Sequence, residues 1–265
     1  MGSQEIRFED GAGYERYMGA WSRLVGDAFL AWLKSAPGLR WLDVGCGNGA
    51  FTEILAARCA PDSIEGVDPS GEMIGFARSR PALRAARFRT GDAMALPYPD
   101  DAFDAAVMPL VIFFVPEPAK GVAEMARVVK PGGLVTAYAW DIPDGGLPYD
   151  ALLAEIRAMD IPVPTPPNPD ASRLESLRAL WSGAGLEAIA TNVITVTRTF
   201  ANLEDYWETA LCGPIVGSNL RALGPEKAAR LKERLRACLP ADSQGRITCS
   251  GRANAIQGRV PAHPV

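Results

Sequence analysis

Short apolar segments alternate with segments of helical periodicity between residues 39 and 139, and this alternation restricts the fold more than any other feature. Strands that alternate with helices form βαβ units and therefore a parallel sheet. Strands are predicted at Arg40–Val44, Ser63–Val67, Arg87–Thr90, Ala102–Met108 and Leu134–Ala139, and helices at Ala50–Cys59, Gly71–Arg80 and Ala119–Val129. The chain is therefore predicted to be an α/β protein.

The sequence on either side of this core has a different character. Tyr14–Lys34 has helical periodicity, and Asp141–Asp170 is rich in Pro and Gly around a short predicted helix, Tyr149–Met159. Further helices are predicted at Ala171–Ala184, Leu203–Cys212 and Pro225–Leu239, and further strands at Glu187–Phe200 and Arg246–Ile256. We expect one structural domain, divided into an N-terminal helical cap (1–38), a core (39–140), a lid with a helix and the sixth strand (141–200), a helical insertion (201–243), and a last strand and tail (244–265).

Composition argues against several classes of protein. The 265-residue chain is 48% hydrophobic, has a net charge of −4 and carries no basic block, so nucleic acid is not an expected partner. The N-terminus is polar, unlike a signal peptide, and the longest apolar run, Ala105–Val115, is too short to span a membrane. Five scattered cysteines without a CxxC pair predict neither disulfides nor a metal site. A cytoplasmic location is the simplest interpretation.

The segment LDVGCGNGAF (42–51) forms a glycine-rich turn between the first predicted strand and helix. Glycines allow the backbone to approach a ligand closely, and the following helix N-terminus favours an anionic group. Residues 45–50 fit the dinucleotide pattern G-x-G-x-x-G/A, so an NAD-dependent oxidoreductase is one interpretation. Asp43 precedes the glycines, however, and its charge would repel a pyrophosphate. S-adenosylmethionine, which carries an ammonium and a sulfonium, suits this turn better than NAD.

Two more carboxylates follow the next two predicted strands. Asp68 ends the second strand, where an acidic side chain can accept hydrogen bonds from both hydroxyls of a ribose. Asp92 follows the third strand, from which its carboxylate could reach the exocyclic amine of an adenine. Each aspartate alone also fits a turn or a helix cap. Together with Asp43, at the carboxyl ends of three successive strands, they favour a ligand site.

These segments resemble class I S-adenosylmethionine-dependent methyltransferases of the small-molecule type 11 group. The matching segments occur in the family's order and spacing, and they are LDVGCGNGAF (42–51), GVDPSGEMIGFAR (66–78), GDAMALPYPDDAFDAAV (91–107) and VVKPGG (128–133). The resemblance implies a Rossmann-like fold with a mostly parallel seven-stranded sheet, an antiparallel last strand, an N-terminal helix, and helical and loop insertions as a lid. It also implies methyl transfer from S-adenosylmethionine, with S-adenosylhomocysteine as product, to a small partly apolar molecule.

The resemblance further implies a set of cofactor-binding residues. Those around the methionine half and the ribose would be Asp43, Gly45, Cys46, Gly47, Gly49 and Asp68. Those around the adenine would be Pro69, Met73, Asp92 and Ala93, and the backbone of Met108 would approach the methionine moiety. Tyr17, Met18 and Trp21 of the N-terminal segment would lie over the cofactor. Core packing is the alternative for the methionines of the core, and amphipathic packing is the alternative for the N-terminal residues.

The residues expected around the methyl acceptor are apolar. Phe113 and Phe114 lie in PLVIFFVPEP (109–118), where many relatives have a polar or His-containing stretch, and Trp140 ends the fifth strand. For the two phenylalanines, packing within a helix is the alternative.

No general base is evident, and the catalytic residues stay unassigned. The single histidine, His263, lies near the C-terminus, and the other candidates are Asp141, Asp144, Tyr17, Tyr138 and Tyr149. A non-catalytic family member that binds the cofactor as a partner subunit is therefore a further alternative. Either a monomer or a homodimer is compatible with the sequence.

Overall fold

The computed structural model describes residues 13, 15–213 and 216–262. Seven strands form one sheet in the order β3-β2-β1-β4-β5-β7-β6, and β7 is antiparallel to both of its neighbours. The strands are β1 (Arg40–Val44), β2 (Ser63–Asp68), β3 (Arg87–Thr90), β4 (Phe103–Pro109), β5 (Val129–Trp140), β6 (Glu187–Phe200) and β7 (Ile247–Arg259). The predicted mostly parallel seven-stranded sheet with an antiparallel last strand is confirmed.

One helix precedes β1, and the other helices lie between consecutive strands. The helices are α1 (Ala20–Leu33), α2 (Ala50–Cys59), α3 (Gly71–Ser79), α4 (Pro118–Val128), α5 (Asp150–Arg157), α6 (Leu174–Gly183), α7 (Leu203–Leu211), α8 (Val216–Arg221) and α9 (Pro225–Cys238). A π-helical turn, Glu15–Gly19, precedes α1, and Tyr14, predicted to start that helix, lies outside the described residues. Helix α8 was not predicted, and most other helix ends differ from the prediction by one or two residues.

One predicted break is absent from the sheet. The sequence predicts that Pro131–Gly133 separates a helix from a strand, whereas β5 begins at Val129 and runs through these residues. Gly132 has a φ of 76°, and its N–H donates to the carbonyl of Val260 at 2.9 Å, while the Val260 N–H donates to the carbonyl of Gly133 at 3.1 Å. These two hydrogen bonds therefore join the residue just after β7 to the turn-forming residues at the start of β5.

Helix α1 packs against the core beside the carboxyl ends of the central strands. The ring of Phe29 in α1 lies 4.7 Å from that of Tyr138 in β5 and 6.2 Å from that of Phe51 in α2, measured between centroids. Phe29 and Tyr138 are fully buried. Burying aromatic side chains of this size stabilises the fold by about 2–3 kcal/mol each, so α1 is an integral part of the domain.

None of the helices in the described part of the chain is long and apolar enough to cross a membrane.

Candidate functional site

The glycine-rich turn after β1 is held in a conformation that favours glycine at three positions. Gly45, Gly47 and Gly49 have φ values of 73°, 52° and 80°. The N–H groups of Gly45 and Cys46 both donate to the carbonyl of Val67, at 2.7 and 3.1 Å. These bonds tie the turn to the end of β2 and leave its outer face available.

The three glycines differ in what a side chain would meet. A Cβ on Gly45 would lie 2.4 Å from Cγ2 of Val111, and one on Gly49 would lie 2.9 Å from Cδ1 of Leu83. A Cβ on Gly47 would have no atom within 4 Å. Protein packing therefore explains Gly45 and Gly49, while Gly47 leaves room for a ligand to approach the backbone. Helix α2 begins directly after this turn, so the positive end of its dipole lies at the same place.

Cys46 contributes to this turn through its backbone alone. Its side chain is 5% exposed and packs in a small cluster with Ile74, Ala77, Leu83 and Phe88. Burial raises the pKa of the thiol well above its usual value, which keeps it protonated. Its role beside a cofactor is therefore restricted to main-chain groups.

Asp43 lies beneath the turn and is fully buried. Its Oδ2 accepts a hydrogen bond from the Thr52 hydroxyl at 2.6 Å, and its Oδ1 has no hydrogen-bond partner among the described residues. Burial raises the pKa of Asp43 to about 7, and the hydrogen bond from Thr52 offsets only part of this rise. That Asp43 faces the ammonium of a bound cofactor, directly or through water, stays a prediction.

Asp68 faces the turn from the end of β2. Its Oδ2 accepts from the Gly47 N–H and its Oδ1 from the Ser70 N–H, each at 2.9 Å. Burial raises the pKa of Asp68, and the two backbone donors oppose that rise. Each carboxylate oxygen can accept more than one hydrogen bond, so Asp68 keeps capacity for ligand hydroxyls while it fixes the turn.

The remaining residues predicted near the adenine lie at the ends of β2 and β3. Asp92 is exposed, and its Oδ1 accepts from the Met94 N–H at 2.8 Å, which makes a local turn. Pro69 is exposed, Ala93 is half-buried, and Met73 is 3% exposed in the first turn of α3. The structure thus brings Asp68 and Asp92 to the same end of the sheet, as the parallel pairing of β2 and β3 requires.

Two other residues predicted at the cofactor, Met108 through its backbone and Trp21 over the ligand, have buried side chains, and their contact with a cofactor stays a prediction. Met108 is fully buried in β4, and its Cε points toward Gly121 of α4, 3.7 Å from where a Cβ would be. Trp21 is also fully buried, with its ring edge-on to Trp140 at 6.5 Å and to Tyr149 at 6.4 Å between centroids. Both side chains pack in the core because the sheet and α1 enclose them.

An ionic network, which the sequence did not reveal, ties the N-terminal segment to the glycine turn. Arg80 donates to Glu15 at 2.6 Å, to Glu53 at 2.7 Å and to the carbonyl of Asn48 at 2.6 Å, and its side chain is only 12% exposed. Glu15 also accepts from Asn48 at 3.1 Å and pairs with Arg23. Burial raises the pKa of Glu15, but the two arginines outweigh it and hold the pKa below its usual value. The network fixes the start of the described chain over the turn.

An apolar pocket borders the glycine turn on the side of β4 and β5. Its volume is about 820 Å³, including the open space at its mouth. Five parts of the chain line it: Tyr17 and Met18, residues between 110 and 114, residues between 140 and 157, the segment 163–166, and Val216. Phe113, Phe114 and Trp140, expected at an acceptor, are among them. Tyr17 and Met18, expected over the cofactor, lie in the same wall.

The segment 110–113 contributes residues to both the turn and the pocket. The side chain of Val111 fills the space beside Gly45, where a Cβ would be 2.4 Å from it, and the neighbours Leu110 and Phe113 line the pocket. β1 and β4 are paired, so their carboxyl ends lie side by side. A ligand at the turn would therefore end next to the deep, apolar part of the pocket.

Few polar groups line this pocket. The Tyr149 hydroxyl donates to the carbonyl of Tyr17 at 3.1 Å, and the two rings stack with centroids 4.4 Å apart. Burial raises the pKa of Tyr149 far above its usual value, which makes it a poor general base. Trp140 is 2% exposed, and its Nε1–H has no hydrogen-bond partner among the described residues. No Asp, Glu, His or Lys belongs to the lining in the described part of the chain.

The other candidate bases are engaged elsewhere. Asp141 accepts from Arg252 at 2.9 Å, and Asp144 pairs with Arg173 at 3.0 Å. Tyr138 is fully buried against the ring of Phe29. His263 lies outside the described residues. The described residues also contain no cluster of three or more His, Cys, Asp or Glu side chains placed to hold a metal ion.

Residues 42–137 match the sequence profile of a protein family described as methyltransferase domain. The demethylmenaquinone methyltransferase of Renibacterium salmoninarum is 36% identical over 143 residues, which are 54% of this chain and 56% of that protein. The 2-phytyl-1,4-naphthoquinone methyltransferase of Synechococcus elongatus is 32% identical over 150 residues, which are 52% of this chain and 57% of that protein. The chain thus spans little more than half the length of these relatives.

Solved structures share the fold over a greater length. The YcgJ protein of Bacillus subtilis superimposes with a TM-score of 0.56 and 21% identity, covering 90% of this chain and 98% of that one. This similarity supports the Rossmann-like architecture.

Proposed function

Because residues 42–137 belong to the methyltransferase-domain family, we propose that this chain transfers a methyl group from S-adenosylmethionine to a small, partly apolar molecule. The main support for this proposal is the apolar pocket beside the glycine turn. Val111 packs beside Gly45, and its neighbours in sequence, Leu110 and Phe113, line the pocket. A methyl group bound at the turn and an acceptor in the pocket would then lie against each other.

The residues at the turn fit the cofactor in shape and charge. The space over Gly47 admits a ligand close to the backbone, and the α2 N-terminus suits the small carboxylate of a methionine moiety. Asp68 would hold the ribose hydroxyls, while the charge of Asp43 beneath the turn would favour the ammonium. Met73, Ala93 and Asp92 would surround the adenine. When bound, S-adenosylmethionine supplies an activated methyl group with its own leaving group.

The pocket supplies the remaining requirements of an in-line methyl transfer. Its aromatic and aliphatic walls exclude water and limit the motion of the acceptor, which is the main contribution that a protein makes to this reaction. Tyr149 has a raised pKa, and its hydroxyl donates to a backbone carbonyl. We therefore infer an acceptor that is nucleophilic without the help of a general base, such as an electron-rich aromatic carbon or an oxygen already ionised at neutral pH.

The two quinone-methylating relatives suggest a first set of acceptors. Bicyclic aromatic diols have the size and apolar surface for a pocket lined by Phe113, Phe114 and Trp140. The ring of Trp140 would pack against such an acceptor as part of the pocket wall.

A methylation screen tests the proposal. The protein is incubated with methyl-labelled S-adenosylmethionine and a panel of reduced naphthoquinones, phenols and apolar acids, and labelled products are counted. We expect label in at least one apolar aromatic acceptor. Gly47→Asn, which would fill part of the open space over the turn with a residue that tolerates the positive φ of 52°, is expected to abolish transfer while the protein stays folded. Bound S-adenosylhomocysteine without transfer to any panel member would instead support a non-catalytic, cofactor-binding role.

We also propose the cellular setting. All five cysteines are free, which suits a reducing, cytosolic compartment. The acidic pI of about 5.2 supports a small-molecule acceptor over nucleic acid. A monomer or a homodimer would serve this chemistry equally well.

A further inference from the structure

The lining of the apolar pocket contains one charged residue in the described part of the chain. Arg157 lies in the last turn of α5 and is exposed, whereas Leu110, Phe113 and Trp140 in the same lining are buried. The exposed position places Arg157 at the rim. The buried residues beside the glycine turn form the deep end of the pocket.

No described residue neutralises this guanidinium. Two acidic residues near α5 have other partners: Glu155 pairs with Arg234, and Asp144 pairs with Arg173. Asp150 in the first turn of α5 and Asp160 just after the helix form no ion pair with Arg157 among the described contacts. Arg157 therefore keeps its hydrogen-bond donors available at the mouth of an otherwise uncharged pocket.

We propose that Arg157 determines specificity by binding an anionic oxygen-acid group, a carboxylate in the first instance, at the outer end of the methyl acceptor. The inference rests on the proposed function and adds the substrate class: an apolar body that ends in an acid. The guanidinium presents paired N–H donors that match a carboxylate. The acid stays at the rim, so it keeps part of its hydration. The atom that receives the methyl group lies at the opposite, buried end beside the turn.

The matched dyes 1-anilinonaphthalene-8-sulfonate and N-phenyl-1-naphthylamine test the inference. The two dyes share their aromatic rings and differ by one anionic group, and both become fluorescent in apolar pockets. Titrations use the full chain saturated with S-adenosylhomocysteine, in low and high salt. Wild type is expected to bind the sulfonate dye about three- to tenfold more tightly than the neutral dye, the scale of a partly exposed charged hydrogen bond.

Variants assign this preference to one side chain. Arg157→Gln is expected to remove the preference and leave the affinity for the neutral dye within about twofold, while Arg157→Lys keeps part of it. Arg230→Gln is the matched control, because Arg230 is exposed on the neighbouring helix α9 and is not part of the lining. Equal affinities of wild type for the two dyes, or no detectable binding of either, would overturn the inference. Failure of S-adenosylhomocysteine to bind in the same samples would separately count against the proposed function.

Discussion

The glycine turn and the apolar pocket, proposed to hold the cofactor and the acceptor, lie side by side and are built in different ways. The turn comes from one stretch of chain between Asp43 and Ser70, with main-chain hydrogen bonds and two carboxylates. The pocket is lined by five separate parts of the chain, and its surface is almost entirely apolar. The difference shows that the turn is specified by local backbone geometry and the pocket by the packing of distant segments.

The turn and the pocket should respond differently to substitution. Changes at the turn act on backbone conformation and buried charge, so they are expected to affect folding and cofactor affinity together. Changes in the pocket remove surface that contacts an acceptor, so they are expected to affect acceptor turnover alone.

The largest expected effect is the pH dependence caused by Asp43. Its pKa in the folded protein, about 7, lies above its value of about 3.9 in an unfolded chain. The stabilising contribution of the protonated form is therefore fully present below pH 4, falls as the pH rises, and is lost above about pH 7. The change in the free energy of unfolding is on the order of 4 kcal/mol.

Asp43→Asn is expected to remove this pH dependence, because an amide stays neutral. Urea unfolding of the cofactor-free protein at pH 4.5, 6 and 8 measures the effect. The variant should gain stability relative to wild type as the pH rises. Asp27→Asn, which alters an exposed pair with Arg58, is the control and should change stability by less than about 1 kcal/mol at each pH. Parallel profiles of wild type and Asp43→Asn would contradict a raised pKa.

Comparison of Gly45→Ala with Gly38→Ala separates the cost of overpacking from the cost of backbone strain. Gly45 and Gly38 have nearly equal φ values, 73° and 75°, but only a Cβ on Gly45 would collide with Val111. Gly45→Ala is expected to lower the free energy of unfolding by about 3 kcal/mol, from strain and overpacking combined. Gly38→Ala should lower it by about 1 kcal/mol. Equal losses in urea unfolding would show that the contact with Val111 does not hold the turn.

The pocket should tolerate changes that the turn does not. Phe114 is half-buried and lines the pocket, so Phe114→Ala is expected to lower the kcat/KM for the acceptor by about tenfold, or about 1.4 kcal/mol. The affinity for S-adenosylhomocysteine, measured by calorimetry, should be unchanged. A parallel loss of both quantities would indicate that Phe114 supports the fold of the whole site.

The smallest change in stability is expected for Trp140→Phe. The Nε1–H of Trp140 has no partner among the described residues, so its removal should change the free energy of unfolding by about 1 kcal/mol or less. If the larger ring of Trp140 packs against the acceptor, KM should rise several-fold with little change in kcat. An unaltered KM would remove Trp140 from acceptor binding.

The contrast between local geometry and the packing of distant segments also explains which features of the fold and the site the sequence predicts. Strand β6 has its predicted bounds, Glu187–Phe200, because the alternation that predicts a strand depends on neighbouring residues. Asp68 at the turn follows from its position at a strand end. The position of Asp43 beside the turn also follows from the sequence, whereas its complete burial depends on tertiary packing.

Residues that meet only in the folded chain were missed. Glu15 and Arg80 are 65 residues apart and form an ion pair, and nothing local to either residue indicates it. The segment 163–166 was predicted as a lid without a specific role, yet it forms one wall of the pocket, and α8 supplies Val216 to the same lining. Arg157 looks like an ordinary helix-end arginine until the pocket is seen beside it.

Calorimetric titration of the protein with S-adenosylhomocysteine and with NADH distinguishes the proposed cofactor from a dinucleotide. We expect wild type to bind S-adenosylhomocysteine and not NADH, and we expect Gly47→Asn to lose the binding of S-adenosylhomocysteine. Binding of NADH together with no binding of S-adenosylhomocysteine would contradict the proposed cofactor.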